Sequence, residues 1–263
     1  MENSVEAVTV MTKYEMISTV LSIVAIALSI LIPLAQWIWK RWITQPKLNY
    51  YPTGRAFVYC NLSGPYLQVD GVFEALHKPV SIKGTSIRIE RVRDEKKLKL
   101  DWLRFRSPVS QNFMGLQASA AELAHPFRIE ADHIACAFIE FGDTFAAVEK
   151  TANMMIEEMT PICNKIRGDC ADYSTALEEL KKTHQYSELK ALLEKNLFWE
   201  IGKYKATLSA RYGKKEETFQ MCFSITEQDY KQFVSGIEEL ASYPLKRACG
   251  LSYNYQPVII EMK

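Results

Sequence analysis

The sequence lacks every short motif that announces a reaction. Its four histidines, His77, His125, His133 and His184, stand alone, and none belongs to an HExxH or another spacing that grips a metal. There is no GxSxG turn to present a nucleophilic serine, no GxxxxGK loop to cradle a phosphate and no GxGxxG dinucleotide fingerprint. Gly213-Lys214-Lys215 is only superficially like a phosphate loop, because it reads as a hairpin turn with no helix after it. The six cysteines (Cys60, Cys136, Cys163, Cys170, Cys222 and Cys249) include no CxxC pair, and no histidine lies near Cys163 or Cys170 to complete a zinc set. Asp169 and Asp172, three residues apart beside Cys170, read as a solvated helix start rather than a cation site. No catalytic residue, metal ligand or cofactor is assigned, and an enzyme is not expected.

Charge of one sign is also missing. The formal net charge is +1, so bulk electrostatics give no support to a nucleic-acid partner. No internal repeat or low-complexity tract occurs.

One absence is local and more telling. From Met16 to Trp39 there are 24 residues without a charged side chain, and twelve of them are Ile, Leu or Val. As a helix rising about 1.5 Å per residue the run reaches roughly 36 Å, enough to cross a hydrocarbon core of about 30 Å with some tilt. Lipid offers backbone N–H and C=O groups no partner, so the segment must be helical there. A cleaved signal peptide fits poorly, since the preceding residues are acidic and no small-residue cleavage site follows. The expected layout is a short extracytoplasmic tail (residues 1–14), a transmembrane helix (15–42) and a cytosolic domain (47–263).

Charge orients the helix. Glu2, Glu6 and Glu15 oppose a lone Lys13 before it, whereas Lys40, Arg41, Lys47 and Arg55 follow with no acid until Asp70. Basic residues flanking a span stay on the cytoplasmic side, which puts the N-terminus outside a cell (inner) membrane and the body in the cytoplasm. Trp37, Trp39 and Trp42, with Lys40 and Arg41, form the expected anchor at the inner interface. On that reducing side the cysteines are expected to be free, buried thiols, and the Asn61-Leu62-Ser63 sequon has no meaning.

Polar and small residues within the span share one side. Stepping about 100° per residue, Ser18, Ser22, Ala25, Ser29, Pro33 and Gln36 fall within roughly 80° of one another. Ser22, Ser29 and Gln36 recur every seven residues, the period of a left-handed helix pair or bundle. The stripe reads as a homo-oligomer seam or as the lining of a narrow pore made by several copies. The plain alternative is that the hydroxyls bond back to their own helix and the alignment is accidental.

After the linker the pattern is β. Tyr50-Tyr51 and Ala56–Asn61 read as two short strands, Tyr66–Leu76 and Val80–Arg93 as longer ones, with a bulge at Gly84. Lys97–Phe105 returns as the hairpin partner of Val80–Arg93. Ser107–Arg128 is looser, with Ala118–Leu123 as one short helix, and Ile129–Phe141 is another strand. A helical block then spans about residues 143–199: a helix from Phe145 to Met159 capped by Asp143, a break at Pro161, and amphipathic helices at Tyr173–Lys182 and Ser187–Leu197. Lys203–Arg211 and Glu216–Ile225 form a second hairpin. Thr226 caps a helix with Asp229 at its third position, and Val258–Met262 is the last strand. Strands that follow one another without crossover helices predict a membrane-anchored α+β protein, a mainly antiparallel β-sandwich carrying a helical insertion.

The first hairpin is the most basic stretch, with nine Lys or Arg against four Asp or Glu from Lys83 to Arg106. Arg88, Arg91, Arg93, Lys96, Lys97 and Lys99 are its candidate residues for an anionic lipid surface or an anionic ligand such as a nucleotide. Exposed charge that blocks edge-to-edge strand pairing is the simpler explanation. Together these features point to a non-enzymatic, single-pass membrane protein. It would self-associate through its helix in the lipid bilayer and sense a cytosolic ligand or partner through its β-domain, with an oligomeric membrane-permeabilising effector as the sharper form. The alternative is a membrane-tethered scaffold or binding module without a pore.

Overall fold

The computed structural model describes residues 13–39, 44–113, 116–143, 147–252 and 257–263, with side chains of 107–120 and 147 excluded. The chain separates into two compact units that divide after Pro46. The expected anchors Lys40, Arg41 and Trp42, most of the N-terminal tail and the start of the first block helix lie outside the described residues.

In the first unit, α1 (Lys13–Ile38) is 26 residues long and apolar enough to cross a membrane. Large apolar side chains such as Val20, Leu21, Ile23 and Val24 are exposed in succession, so no single stripe faces a protein core as it would in an amphipathic surface helix. Pro33 lies within the helix and supplies no N–H to the preceding turn.

In the second unit, β1 (Lys47–Asn61) and β2 (Gly64–Leu76) form one hairpin, and β3 (Val80–Arg91) and β4 (Lys97–Phe113) another. They are followed by β5 (Leu116–Leu123), β6 (Phe127–Ile129) and β7 (His133–Gly142). Three helices come next: α2 (Ala147–Asp169), α3 (Tyr173–Lys181) and α4 (His184–Lys195). The chain ends with the hairpin β8 (Gly202–Tyr212) and β9 (Lys215–Ile225), then α5 (Glu227–Ala241), α6 (Tyr243–Ala248) and β10 (Val258–Glu261).

The expected sandwich is corrected here. All the strands belong to one antiparallel sheet, ordered β10-β1-β2-β7-β4-β3-β8-β9, with β5 beside β4 and β6 beside β3. It curls into a half-barrel. Bulges bend a ladder and sharpen its twist, and register shifts occur at Pro52/Ala56, Ile82/Gly84, Trp102/Arg104 and Arg106/Ser110. A long sheet bent this often closes over its own apolar face instead of needing a second sheet to cover it. Its edge strands touch at one bridge, Phe223 with Met262, flanked by reciprocal backbone hydrogen bonds between Cys222 and Lys263.

Other boundaries also differ. The two expected short strands at Tyr50 and Ala56 are one strand, because the bulge at 53–55 absorbs the break, with Gly54 at a φ of 83°. Ala118–Leu123 is not a helix: it belongs to β5, paired with the extension of β4 past Phe105. Pro161 does not end α2. Pro161 and Glu157, whose carbonyl loses its partner, both lie on the exposed side, where water can satisfy it. The buried side of α2 continues through Ala152, Met159 and Cys163. Val80–Arg93 shows the bulge at Gly84, as its alternation implied.

Two apolar clusters result. The concave face of the sheet encloses Phe73, Phe141, Tyr204 and Phe223, and Trp199, arriving from α4, fills one end and donates its indole N–H to the Tyr59 carbonyl at 3.2 Å. The helices share a second cluster that includes Met159, Cys163, Leu180, Leu189 and Leu245. Helix α5 joins the two, with Phe233 in the sheet core and Ile237 and Leu240 among the helices. Its start is held by a complete capping box between Thr226 and Asp229.

Candidate functional site

The six basic residues of the first hairpin do not form one face. Arg91 is 3% exposed and points inward, paired with Asp94 at 2.6 Å and Glu200 at 2.5 Å. Its guanidinium also donates to the Phe198 carbonyl at 3.2 Å and sits over the Phe198 ring. Hydrogen bonding to Arg91 holds the Asp94 carboxyl down to about 2. Arg93 pairs with Glu200 and Lys97 with Glu90, while Lys96 is exposed at the turn. Arg88, Lys97 and Lys99 alternate outward on the convex face of the sheet, and of the six only Arg88 and Lys99 meet residues of the second hairpin in a shared hollow.

These residues surround a hollow of about 410 Å³. Strand alternation builds it: Ile87, Ile89, Leu208 and Ala210 are buried in the core, so Ser86, Arg88, Thr207, Ser209 and Arg211 project outward between them. Across the strands, Ser86 stands opposite Asp101 and Ser209, and Ser209 opposite Thr218. This row of hydroxyls forms the floor. Beside it, Arg88 stands between Lys99 and Thr207. On the far side, Arg211 stands opposite Glu216 and Gly84.

Charge pairing within the hollow is uneven. Lys99 lies 3.5 Å from Asp101, but Arg88 and Arg211 form no ion pair among the described residues. The Arg211 guanidinium lies close over Gly84: a Cβ at that position would fall 3.1 Å from its Nη2. Two guanidiniums therefore flank a hydroxyl floor without a carboxylate in ion-pair contact with either of them, although Asp101 and Glu216 line the same hollow. Such a floor can donate and accept hydrogen bonds to a polar ligand, and the guanidiniums can grip an anion in fork geometry.

A different charged group lies farther round the same face. Glu140 is fully buried between Arg104, at 2.5 Å, and Arg106, whose Nε also donates to it. Tyr59 stacks on Tyr66 at 5.1 Å, and burial, then the Glu140 carboxylate, push its hydroxyl well above the ordinary tyrosine range. Glu140 Oε2 accepts the hydrogen bond from Arg106, whereas its Oε1 is ion-paired with Arg104 without a hydrogen-bond partner, and the arrangement reads as structural. A larger hollow, about 730 Å³, opens where β9 and β10 part, and mixes Lys203 and Lys205 with Ile259 and Val92.

On α1, the hydroxyls of the expected stripe are occupied locally. Ser22 donates to the Ser18 carbonyl at 2.8 Å and Ser29 to the Ile26 carbonyl at 2.7 Å. Ala25, Pro33 and Gln36 lie on the same helix, as does the anchor Trp37, and Trp39 follows just past its end. The six cysteines are in no disulfide; Cys60 and Cys163 are buried, Cys170 and Cys249 half-buried, and Cys136 and Cys222 exposed, so only part of the expected burial holds. Among the described residues no cluster of His, Cys, Asp and Glu could hold a metal ion. Asp172, beside Cys170, caps α3 by accepting from the Thr175 N–H and hydroxyl, each at 2.9 Å.

Neither family models nor curated proteins match the sequence. Three chains among solved structures do. One is a family 123 glycoside hydrolase from Clostridium perfringens, studied for glycolipid glycan hydrolysis, at 11% identity and a TM-score of 0.30. The match covers 69% of this chain and 27% of that one, so the chain spans about a quarter of the enzyme, too distant a likeness to carry an argument about either fold or activity.

Proposed function

We propose that this is a non-enzymatic, single-pass membrane protein that self-associates through α1, with its N-terminus outside and its body in the cytoplasm. The body senses an anionic ligand at the hollow between Arg88 and Arg211 and biases the assembled state. The observation that carries this reading is α1 itself, a 26-residue, predominantly apolar helix ahead of a body with a complete core of its own. Such a helix loses little by entering lipid and much by staying in water. In its stronger form the assembled helices permeabilise the membrane.

The second reading, a membrane-tethered scaffold or binding module without a pore, is supported by one feature. Ser22 and Ser29 donate to their own helix, so they offer small size for close packing more than donors for a polar channel. Reconstituting the full chain in lipid vesicles tests both. The proposal expects alkaline-resistant insertion and crosslinked oligomers, and its stronger form expects dissipation of an imposed potential. Assembly with an intact potential selects the scaffold, and extraction by alkali rejects both readings.

A further inference from the structure

The chemistry of the hollow specifies more than charge. Two guanidiniums free of ion pairs, on either side of a floor of Ser86, Ser209 and Thr218, suit a phosphate ester: the arginines fork onto its oxygens. Asp101 and Glu216 at the ends of the rows repel a naked anion but accept hydrogen bonds from ligand hydroxyls. No aromatic side chain lines the cavity among the described residues, so no ring there offers a stacking platform for a nucleobase. At about 410 Å³ the space suits a compact ligand.

We infer that the hollow between Arg88 and Arg211 binds a compact, hydroxyl-rich phosphate ester: a sugar or polyol phosphate, free in solution or displayed as a lipid headgroup. This rests on the proposed anion-sensing role and names its ligand class. The bulge at Gly84 borders the site, because a Cβ there would fall 3.1 Å from the Arg211 Nη2 and would press the guanidinium a few tenths of an ångström from its place beside the floor.

Calorimetry on the full chain in phosphatidylcholine nanodiscs tests the inference with ribose 5-phosphate, ribose, inorganic phosphate and adenosine 5′-monophosphate. Ribose 5-phosphate should bind more tightly than inorganic phosphate, ribose should give no heat, and the adenine of the nucleotide should add nothing. Arg88→Gln and Arg211→Gln should each weaken binding by roughly tenfold or more, the loss expected for a hydrogen bond to a charged group. Gly84→Ala should weaken it while keeping every charge, and Lys97→Gln, outside the hollow, should leave it unchanged. Circular dichroism of each variant confirms that the fold is retained. Vesicles carrying phosphatidylinositol 4-phosphate, compared with phosphatidylserine at equal charge, separate the sources: selective capture lost in Arg88→Gln assigns the headgroup, and binding of the soluble ester alone assigns a free metabolite. A nucleotide bound tenfold more tightly than ribose 5-phosphate overturns the polyol class but leaves an anion sensor. Binding of the ester that ignores both arginines, or no binding of any phosphate, overturns the site as well. Crosslinking reports on assembly independently in every case.

Discussion

Arg91 Nη1 meets Glu200 Oε1 at 2.5 Å, with the arginine side chain 3% exposed and the glutamate 35%. The pair joins the end of β3 to the segment that carries Phe198 and Trp199 into the sheet core. A guanidinium that far out of water depends on its carboxylates, Glu200 and Asp94. Glu200→Gln should lower stability by about 1–2 kcal/mol, discounted because Glu200 is partly solvated, and Arg91→Ala, which also loses the Phe198 contacts, by about 2–4 kcal/mol. Urea unfolding of the two variants measures this; equal midpoints for Arg91→Ala and the parent would mean the pair contributes nothing.

The pH dependence has two arms of opposite sign. Asp94, held at about 2 by Arg91, has a folded value below its unfolded one of about 3.9. Its contribution is therefore complete above about pH 4 and is lost as pH falls toward 2. Tyr212 is raised to about 12, first by burial and then by its hydrogen bond to Glu217. A raised value means its contribution is complete below about pH 10 and disappears as pH climbs through 12. Asp94→Asn should flatten the acid arm and Tyr212→Phe the alkaline one, as read from thermal unfolding across pH.

Thiol reactivity should follow burial. Cys136 and Cys222 are exposed, whereas burial pushes the Cys163 thiol up to about 11 and raises Cys60 further. The thiolate is the nucleophile, so a brief maleimide pulse at neutral pH should label Cys136 and Cys222 first. Cys60 and Cys163 should react only after denaturation. Intact-mass counting with peptide mapping checks the order, and early label on Cys163 contradicts the packing of α2.

The α1 stripe can be tested by size and polarity separately. Ser22→Leu with Ser29→Leu adds bulk to a close-packed seam and should abolish crosslinked oligomers while the helix still inserts. Ser22→Ala with Ser29→Ala keeps the side chains small and removes hydroxyls already bonded to their own helix. It should retain assembly, with a cost of no more than about 1 kcal/mol. Ile23→Leu with Ile30→Leu serves as the neutral control. Gln36→Leu should reduce ion leak even in assembled chains if a pore forms. Assembly of the double Leu variant at the parent's level would make the stripe accidental.

Orientation is open to a direct check. A reporter active only outside the cytoplasm, fused after Lys263, should stay silent, because the bases Lys40, Arg41, Lys47 and Arg55 follow α1 with no acid until Asp70. Strong activity would reverse the topology.

Local chemistry explains most of what could be read along the chain. The β8–β9 hairpin turns at Gly213-Lys214, where Gly213 takes a φ of 56° and Tyr212 stands opposite Lys215. The Thr226–Asp229 box and the Gly84 bulge were equally legible, because each depends on residues within a few positions of one another. Ala118–Leu123 was misread because small residues and Glu122 suit a helix in isolation. Pairing with Arg104–Phe113 overrides that preference. Half of the candidate site was visible as Arg88 and Lys99, but Arg211 was not. Its place beside them depends on β3 pairing with β8 across the whole helical block, as in Arg88 opposite Thr207.

By itself, therefore, the sequence determined the long apolar helix, the charge asymmetry around it, the hairpins and the alternation that sorts each strand into a buried and an exposed side. These are one-dimensional properties, set by spacing along the chain. Tertiary structure alone decided that the strands form one curled sheet and not two facing ones, that α2 runs past Pro161, and that Arg91 turns inward while Arg88 joins Arg211. The physical reason is that a strand's alternating pattern is the same whether the layer covering it is a second sheet or the far side of its own. Only the pairing of distant strands, bent by their bulges, separates the two outcomes.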